Sequence, residues 1–403
     1  MQAVASALRE IFFSQKHADK VIEQALKSHP KWGSRDRKFF AESVYHCIRH
    51  RRVLSYALKN NTSDGDLDAF SEGDWIGLWY LGFYHLSGSF PQVPPEIDFR
   101  PDESILHRLR NPPRVRIAES FSDEFSDYAE SVFGESWPRL AQALNKTNDV
   151  YLRVNRLKIQ TEELISKLES EGCMVDPVTG VPEAVRLRVR KNVFSLPSFK
   201  SGYFEVQDAG SQQIAPLLDA RPGHRVCDAC AGAGGKSLHL AALMQNRGRI
   251  LSMDVHEWKL EELKKRARRN GVDIIETRLI QSSKTIKRLD RSFDRVLLDV
   301  PCSGSGVIRR NPDAKWKFKK TDLDRLLSLQ KEILFSYSCM VKPGGVVVYA
   351  TCSLFPDENE KQIRNFLDLN PEWTLEKEVH LSPDKEGFDG FYAAKLLRPR
   401  GDV

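Results

Sequence analysis

The sequence has no long hydrophobic run and few cysteines for its length. No window approaches about eighteen consecutive apolar residues, and the first residues mix charged with apolar positions, so we expect neither a membrane-spanning helix nor a signal peptide. The seven cysteines among 403 residues form an odd, unpatterned set, which argues against a disulfide framework and indicates the reducing cytosol. We expect a cytoplasmic monomer with no membrane partner.

Positive charge is in slight excess and is clustered. Lys and Arg number 61 against 55 Asp and Glu, for a net charge of +6. The stretches that concentrate it are residues 49–52 (RHRR), 264–270 (KKRARRN) and 308–320 (IRRNPDAKWKFKK). Each alone is compatible with an ordinary solvated surface. The third carries two aromatic residues and follows an apolar strand with a cysteine at its end, which favours a ligand with a phosphate backbone whose base enters a site.

The chain divides by pattern into regions of different structure. Residues 1–95 show helical spacing of apolar residues, with Ser34 as a candidate cap and no convincing strand. Proline-rich residues around 96–124 read as a linker. Residues 125–204 mix strand-like and helical segments and predict a small α/β subdomain. From 205 to 403, strands and helices alternate, which predicts a mostly parallel, Rossmann-like sheet covered on both faces.

Ligands of such sheets bind beyond the carboxyl ends of the strands. Cys302 and Cys352 each follow a strongly apolar strand, and Asp228 and Asp254 end two others. These four side chains are therefore expected to converge on one edge of the sheet, which predicts a site there.

The loop after the first of these strands points to a cofactor. Residues 228–236 (DACAGAGGK) form a small-residue loop that opens a helix, but they match neither GxGxxG nor a Walker loop. Asp254, at the end of the next strand, is placed to bind ribose hydroxyls. A nucleoside cofactor without phosphates, such as S-adenosylmethionine, fits this pattern, and an NAD-binding unit is the alternative. Cys227 and Cys230 form C-x-x-C without further ligands at zinc spacing, so no metal is expected.

These motifs together resemble the RNA cytosine-5 methyltransferases of the Nol1/Nop2/Sun family. The resemblance rests on DACAGAGGKS, Asp254, LLDVPCSGSGVIRRNPDAKW and YATCSLFPDENE, in that order, with YLRVNRLK and FEVQDAGSQ upstream. It covers roughly residues 125 to 403. The segment GSRDRKFF…VYHCIRHRR further resembles the NusB-like RNA-binding domain of bacterial ribosomal-RNA members. The fold implied is a Rossmann-like, S-adenosylmethionine-dependent methyltransferase sheet, with a small α/β subdomain and an all-helical N-terminal domain.

The resemblance also implies the chemistry and its residues. Cytosine carbon 5 becomes nucleophilic only after a thiolate adds to carbon 6. By resemblance, Cys352 is that nucleophile, Cys302 assists proton removal and product release, and Asp299 binds the cytosine edge. RNA, and specifically ribosomal RNA, is the implied substrate. The residues implied to contact S-adenosylmethionine are Asp228, Cys230, Ala231, Gly232, Ala233, Gly234, Gly235, Lys236, Asp254 and Asp299.

Two departures from the family pattern stand out. Ala233 replaces a usual proline, and Ser282 and Ser283 stand where the third strand usually ends in an acid that contacts the cofactor. Other functions remain to be weighed. An amino-methyltransferase would carry an Asp/Asn-Pro-Pro-aromatic motif, which DVPC lacks. A DNA cytosine-5 methyltransferase would use Cys302 as nucleophile and would not need Cys352. An RNA-binding assembly factor without activity would not need the thiol pair.

Overall fold

The computed structural model of the protein describes residues 1–14, 16–63, 67, 69–92 and 99–400. The chain forms two compact units, one made of Met1–Lys146 with Ile308–Asp322 and the other of Thr147–Val307 with Leu323–Val403. We call them the helical unit and the sheet unit. The boundaries at 95, 124 and 204 expected from the sequence stay predictions, and residues 96–98 of the expected linker lie outside the described part.

The helical unit contains no strand in its described residues, as the sequence predicts. Helix α3 begins at Ser34, but Gly33 occupies the capping position, where its N–H donates to the Asp36 carboxylate at 3.0 Å. The unit's helices are α1 (Gln2–Phe13), α2 (Ala18–Ser28), α3 (Ser34–Arg49), α4 (Arg51–Lys59), α5 (Glu72–Ser87), α6 (Glu103–Arg110), α7 (Val115–Ala118), α8 (Asp123–Phe133), α9 (Trp137–Asn145) and α17 (Ala314–Lys317). None of the helices in the described residues is both long and apolar enough to cross a membrane.

The basic 308–320 segment is largely built into the core of the helical unit. Lys315 is fully buried, and its ammonium donates to the carbonyls of Arg49 at 2.7 Å and Glu119 at 3.1 Å and to the side-chain oxygen of Asn145 at 2.7 Å. Burial lowers the pKa of Lys315 well below its ordinary value. The indole N–H of Trp316 donates to the carbonyl of Ile48 at 2.8 Å. The segment therefore binds helix termini of its own unit.

This placement corrects the sequence-based reading of two basic clusters. Arg309 is 6% exposed, and Arg51 is 8% exposed with its guanidinium 3.8 Å from the centre of the Trp316 ring. Arg49 and Arg52 are buried as well. The prediction that these clusters are basic surfaces is therefore wrong for their buried members. The physical reason is that long basic side chains can bury their stems while their nitrogens donate to carbonyls.

The sheet unit holds a four-stranded antiparallel sheet and a seven-stranded sheet. The smaller has the order β2-β3-β1-β4 and is formed by β1 (Val150–Val154), β2 (Val175–Pro177), β3 (Ala184–Leu187) and β4 (Phe204–Val206). The strands of the larger are β5 (Arg225–Asp228), β6 (Arg249–Asp254), β7 (Ile275–Leu279), β8 (Phe293–Asp299), β9 (Val341–Thr351), β10 (Thr374–Leu381) and β11 (Phe391–Leu397). Its helices are α10 (Thr161–Ser170), α11 (Pro197–Lys200), α12 (Ala209–Gln212), α13 (Ile214–Leu217), α14 (Gly235–Leu243), α15 (Glu257–Asn270), α16 (Ser283–Lys287), α18 (Lys320–Tyr337, beginning in the other unit) and α19 (Glu360–Leu369).

The large sheet has the order β10-β11-β9-β8-β5-β6-β7. Strands β9, β8, β5, β6 and β7 run parallel, and β11 and β10 add an antiparallel edge. Alternate residues of β9 enter different cores, with Val346 and Val348 on one face and Val347 and Tyr349 on the other. Both faces are thus buried, which explains the continuous apolar runs in the sequence. The predicted Rossmann-like architecture is confirmed.

The order of strands reverses at β5. The chain proceeds from β5 to β6 and β7 in one direction and then returns to β8 and β9 on the other side of β5. Such a reversal opens a crevice beyond the carboxyl ends of the two central strands. The carboxyl ends of β5, β8 and β9 carry the loops with the predicted site residues.

Candidate active site

The two thiols singled out from the sequence meet in the folded chain. The Sγ atoms of Cys302 and Cys352 are 3.3 Å apart. Cys302 lies three residues beyond the end of β8, and Cys352 directly follows β9, whose Ala350 pairs with Asp299 of β8. Both side chains are partly exposed. The prediction that these cysteines converge at one edge of the sheet is confirmed.

Glycine allows the two thiol-bearing loops to approach so closely. The N–H of Gly306 donates to the carbonyl of Cys352 at 3.0 Å, and its own carbonyl accepts from Gly390 at 2.8 Å. A Cβ at position 306 would lie 2.3 Å from the carbonyl oxygen of Gly390 and 2.9 Å from that of Cys352. A side chain is therefore excluded there, which gives a physical reason for the small-residue run after Cys302.

An ion pair lies next to the thiols. The ammonium of Lys236, at the start of α14, is 2.5 Å from the carboxylate of Asp299, at the end of β8. Burial alone would lower the pKa of Lys236, but the charge and hydrogen bond of Asp299 outweigh it and the pKa is raised, with Cys352 contributing in the same direction. Lys236 is therefore a buried, charged lysine close enough to Cys352 to interact with it electrostatically.

Cys302 is held in its protonated form. The hydrogen bond with Cys352 and burial raise the pKa of Cys302 well above its ordinary value. Cys302 therefore keeps its proton and can donate it towards the Cys352 sulfur, 3.3 Å away.

Asp254 ties the small-residue loop to the end of β6. One oxygen of its carboxylate accepts from the N–H of Gly232 at 2.9 Å, and the other accepts from His256 at 2.8 Å. Each carboxylate oxygen has a second lone-pair site, so the group can still accept from ligand hydroxyls. Asp254 thus fixes the loop at the carboxyl edge of the sheet.

The conformation of this loop depends on its glycines. Gly232 and Gly234 have φ angles of 53° and 85°, which are unfavourable for side-chain-bearing residues. A Cβ at Gly234 would be 2.4 Å from Leu263 of α15, whereas a Cβ at Gly232 would meet nothing within 4 Å. The loop thus packs tightly on one side and leaves open space on the other, as expected where a small molecule approaches the backbone.

Other predicted cofactor residues lie deeper. Asp228 is 1% exposed and accepts a hydrogen bond from the Ser237 hydroxyl at 2.6 Å, while burial raises its pKa to about 7. Burial also raises the pKa of Cys230 well above its usual value, so this thiol stays protonated. Ser282 occupies the position before the short helix α16, beyond β7, without a side-chain capping hydrogen bond, and both it and Ser283 are exposed. The sequence prediction thus placed these serines correctly at the end of the third strand.

Sequence reasoning missed a buried carboxylate that joins the two thiol loops. Glu358 is fully buried and accepts from the N–H of Ser303 at 2.7 Å, from its hydroxyl at 2.5 Å, and from the hydroxyl of Ser353. Gln330 donates to the same carboxylate at 2.9 Å. These serines directly follow Cys302 and Cys352. Glu358 therefore fixes the positions of both thiols relative to each other, and the only sequence signal was its place in the PDENE run.

Sequence reasoning also missed the polar groups that join the small sheet to the glycine loop. Arg153 of β1 is 3% exposed and donates to the carbonyl of Gly235 at 2.6 Å and to the side chain of Gln207. Burial lowers its pKa to about 10. Glu205 of β4 binds Arg266 at 2.9 Å and also Arg269. The cluster at 264–270 is thus partly structural, and its exposed members are Lys264, Lys265 and Arg268.

Comparison with known proteins shows the family of the chain. The family described as 16S rRNA methyltransferase RsmB/F matches residues 215–397, and the RsmF/B-like ferredoxin-like domain matches residues 127–194. The chain is 30% identical over 411 residues to a probable ribosomal RNA small subunit methyltransferase B of Synechocystis sp., an alignment that covers 93% of this chain and 90% of that protein. It is 36% identical to ribosomal RNA small subunit methyltransferase B of Pectobacterium carotovorum, over 67% of this chain and 64% of that one.

A solved structure supports the same assignment. A methyltransferase homolog protein from Pyrococcus horikoshii is 32% identical, with a TM-score of 0.63, and covers 70% of this chain and 97% of its own. The resemblance of the chain to the Nol1/Nop2/Sun family is confirmed, while the NusB-like character of the N-terminal helices stays a prediction. The family model matches residues 215–397 and a relative at 30% identity matches 93% of the chain, so the chain belongs to the RsmB/F family of ribosomal RNA methyltransferases.

Proposed function

We propose that this protein transfers a methyl group from S-adenosylmethionine to carbon 5 of a cytosine in ribosomal RNA, through a covalent bond between Cys352 and carbon 6. The observation that carries the proposal is the pair of thiols 3.3 Å apart at the carboxyl ends of β8 and β9. A single thiol suffices to activate the cytosine ring. A second thiol in contact with the first therefore indicates a separate role in the same reaction.

The residues present fit S-adenosylmethionine. The open side of the loop at Gly232 leaves room for a ligand beside the backbone, and Asp254 offers carboxylate oxygens to ribose hydroxyls. The bound cofactor supplies an electrophilic methyl group. We assign residues 230–236, Asp254 and Asp299 to its binding, and Asp228 to support of the loop from beneath through Ser237.

Cys352 begins the reaction by bonding its sulfur to carbon 6. The π electrons of the carbon 5–carbon 6 bond then become available at carbon 5, which takes the methyl group as the sulfonium–methyl bond breaks. Lys236 holds Asp299 at the end of β8, where the partly exposed carboxylate can accept from the amino edge of cytosine. Positioned charges of this kind, with their partners fixed beforehand, are an effective means of stabilising charge that develops in a reaction.

Cys302 acts after methyl transfer. The proton on carbon 5 must leave and the carbon 6–sulfur bond must break, which restores the aromatic ring. Because Cys302 keeps its proton and lies 3.3 Å from the Cys352 sulfur, it can donate to that sulfur as it departs. The thiolate that this leaves on Cys302 can then accept the proton from carbon 5, so the carbon 5–carbon 6 double bond is restored and Cys302 regains its proton. The alternative, in which Cys302 is the nucleophile, exchanges the two roles and predicts that the covalent adduct is lost when Cys302 is replaced.

RNA binding is proposed to use exposed basic residues of the sheet unit, of which Lys264, Lys265 and Arg268 are examples. The target base must leave its stack to reach the thiols. With ribosomal RNA as substrate, the protein works in the cytoplasm, and we propose that it does so as a monomer.

The reaction is tested by mapping 5-methylcytosine in ribosomal RNA. Bisulfite sequencing of RNA from a strain that lacks the gene is expected to show one or a few cytosines that have become convertible. Restoring the gene is expected to return their protection, and a Cys352→Ala copy is not. If every protected cytosine of the wild type is still protected in the deletion strain, the proposed reaction is wrong.

The cofactor is tested by calorimetry on the full chain. Asp254→Ala is expected to weaken S-adenosylmethionine binding about 10- to 100-fold, because a hydrogen bond to a charged group contributes roughly 1.5–3 kcal/mol. Asp273→Ala, at an exposed acid of the same unit, is the matched control and is expected to bind normally. Binding of NAD in place of S-adenosylmethionine would contradict the assignment.

A further inference from the structure

Three histidines of the helical unit form a cluster unrelated to the proposed reaction. His46 lies in α3, His50 follows its last residue, and His85 lies in the last turn of α5. Their ring centres are 4.5, 4.6 and 5.2 Å apart. Of the described residues, these form the one group of three or more histidine, cysteine or acidic side chains whose ligand atoms all lie close together, within 4.8 Å of one another.

The cluster has a feature that calls for a ligand. Nδ1 of His50 is buried and has no hydrogen-bond partner within the described protein, and leaving such a group unpaired is costly. His46 Nε2 and His85 Nδ1 are 3.0 Å apart. Ligand nitrogens of a tetrahedral zinc ion are separated by about 3.4 Å, given Zn–N bonds of roughly 2.0–2.1 Å. The nitrogens of His46 and His85 are thus close to the separation that one such ion imposes.

We propose that His46, His50 and His85 bind one transition-metal ion of the zinc class, with solvent at the remaining position. Spacing of four residues places His46 and His50 one helical turn apart on one side of α3, and His85 completes the set from α5. The ion would link the ends of two helices, and the exposure of His85 leaves the fourth position open to solvent.

The surroundings select the kind of metal. All three donors are imidazole nitrogens, which bind a metal through the lone pair of the neutral ring. No carboxylate belongs to this group of donors, which disfavours Mg²⁺ and Ca²⁺, whereas imidazole coordination suits Zn²⁺, Cu²⁺, Ni²⁺ and Co²⁺.

Cobalt provides the test, since the visible absorption of Co²⁺ is intense when the ion has a low coordination number, as in a tetrahedral site. The full chain, stripped with EDTA and dialysed, is expected to bind one Co²⁺ with intense visible absorption that Zn²⁺ displaces. His85→Gln is expected to weaken binding at least tenfold, while His107→Gln, at an exposed histidine of the same unit, leaves it unchanged. Zn²⁺ is expected to raise the Tm of the wild type and of His107→Gln but not that of His85→Gln.

Folding of the variant is checked separately. Because His85 is exposed, the Tm of His85→Gln in EDTA is expected to equal that of the wild type, so a loss of cobalt binding reports the lost ligand. The proposal is overturned by absence of visible cobalt absorption, by full binding in His85→Gln, or by a sulfur-to-cobalt charge-transfer band, which would assign the ion to cysteines instead.

Discussion

Replacing Cys352 with alanine is expected to abolish methyl transfer, whereas replacing Cys302 with alanine is expected to leave a covalent protein–RNA adduct. Without Cys352 no bond to carbon 6 forms, and loss of a nucleophile lowers the rate by about four orders of magnitude or more. Without Cys302, Cys352 still attacks, but its departure lacks the thiol that lies 3.3 Å away. The adduct is expected on denaturing gels of the full chain with ribosomal RNA and S-adenosylmethionine, and protease is expected to release the RNA.

The double variant and an inert cysteine serve as controls. Cys302→Ala combined with Cys352→Ala is expected to give no adduct, because the attacking sulfur is gone. Cys173→Ala changes a buried thiol of the small-sheet core and is expected to methylate without trapping RNA. An adduct that appears in Cys352→Ala and disappears in Cys302→Ala would exchange the two roles. Full activity in both single variants would show that the two thiols serve only in packing and would contradict the proposed mechanism.

The sheet and the meeting of the thiols could be predicted because they follow from local pattern and topology. Apolar runs that alternate with amphipathic helices predict a parallel sheet, and the carboxyl ends of its strands necessarily share one edge. The edge strand β10 was not predicted because its sequence (TLEKEVHL) is mostly exposed and charged and lacks the apolar run of a central strand.

Long-range polar contacts could not be predicted in this way. The burial of Lys315 depends on carbonyls contributed by Arg49 and Glu119, which are far away in sequence. The composition of residues 308–320 alone therefore suggested an exposed basic loop. The histidine cluster likewise requires the packing of α3 against α5. A local pattern shows which residue types are present, but only the fold shows which of them find partners.

The carboxylate of Glu358 illustrates how such contacts serve the site. It accepts hydrogen bonds from groups on Ser303, Ser353 and Gln330, none of which carries a positive charge. The carbonyl of the same residue accepts from the hydroxyl of Tyr349 at 2.7 Å, which anchors it to β9. Since the serines follow the two cysteines directly, the distance between the thiols depends on this residue. Glu358 is therefore a positioning residue for the pair.

Replacing Glu358 with glutamine is expected to lower the rate of methyl transfer by about 100-fold or more, because displacement of reacting groups by about 1 Å has effects of that size. The glutamine amide has one acceptor oxygen where the carboxylate had two, so at least one buried donor loses its partner. The free energy of unfolding is expected to fall by roughly 1–3 kcal/mol as a result. Rates under single-turnover conditions and denaturant unfolding of the full chain measure the two effects.

A positioning role and a merely structural role predict different results for cofactor binding. If Glu358 acts through the thiol loops, Glu358→Gln keeps the wild-type affinity for S-adenosylmethionine, since residues 230–236 follow β5, Asp254 ends β6, and Asp299 is held by Lys236. In the Cys302→Ala background, Glu358→Gln is expected to reduce the yield of covalent adduct, because the attack by Cys352 is itself misaligned. Glu360→Gln, two residues later and partly exposed, is the matched control. Equal losses of cofactor affinity and of rate in Glu358→Gln would show general destabilisation of the sheet unit and contradict the assigned role.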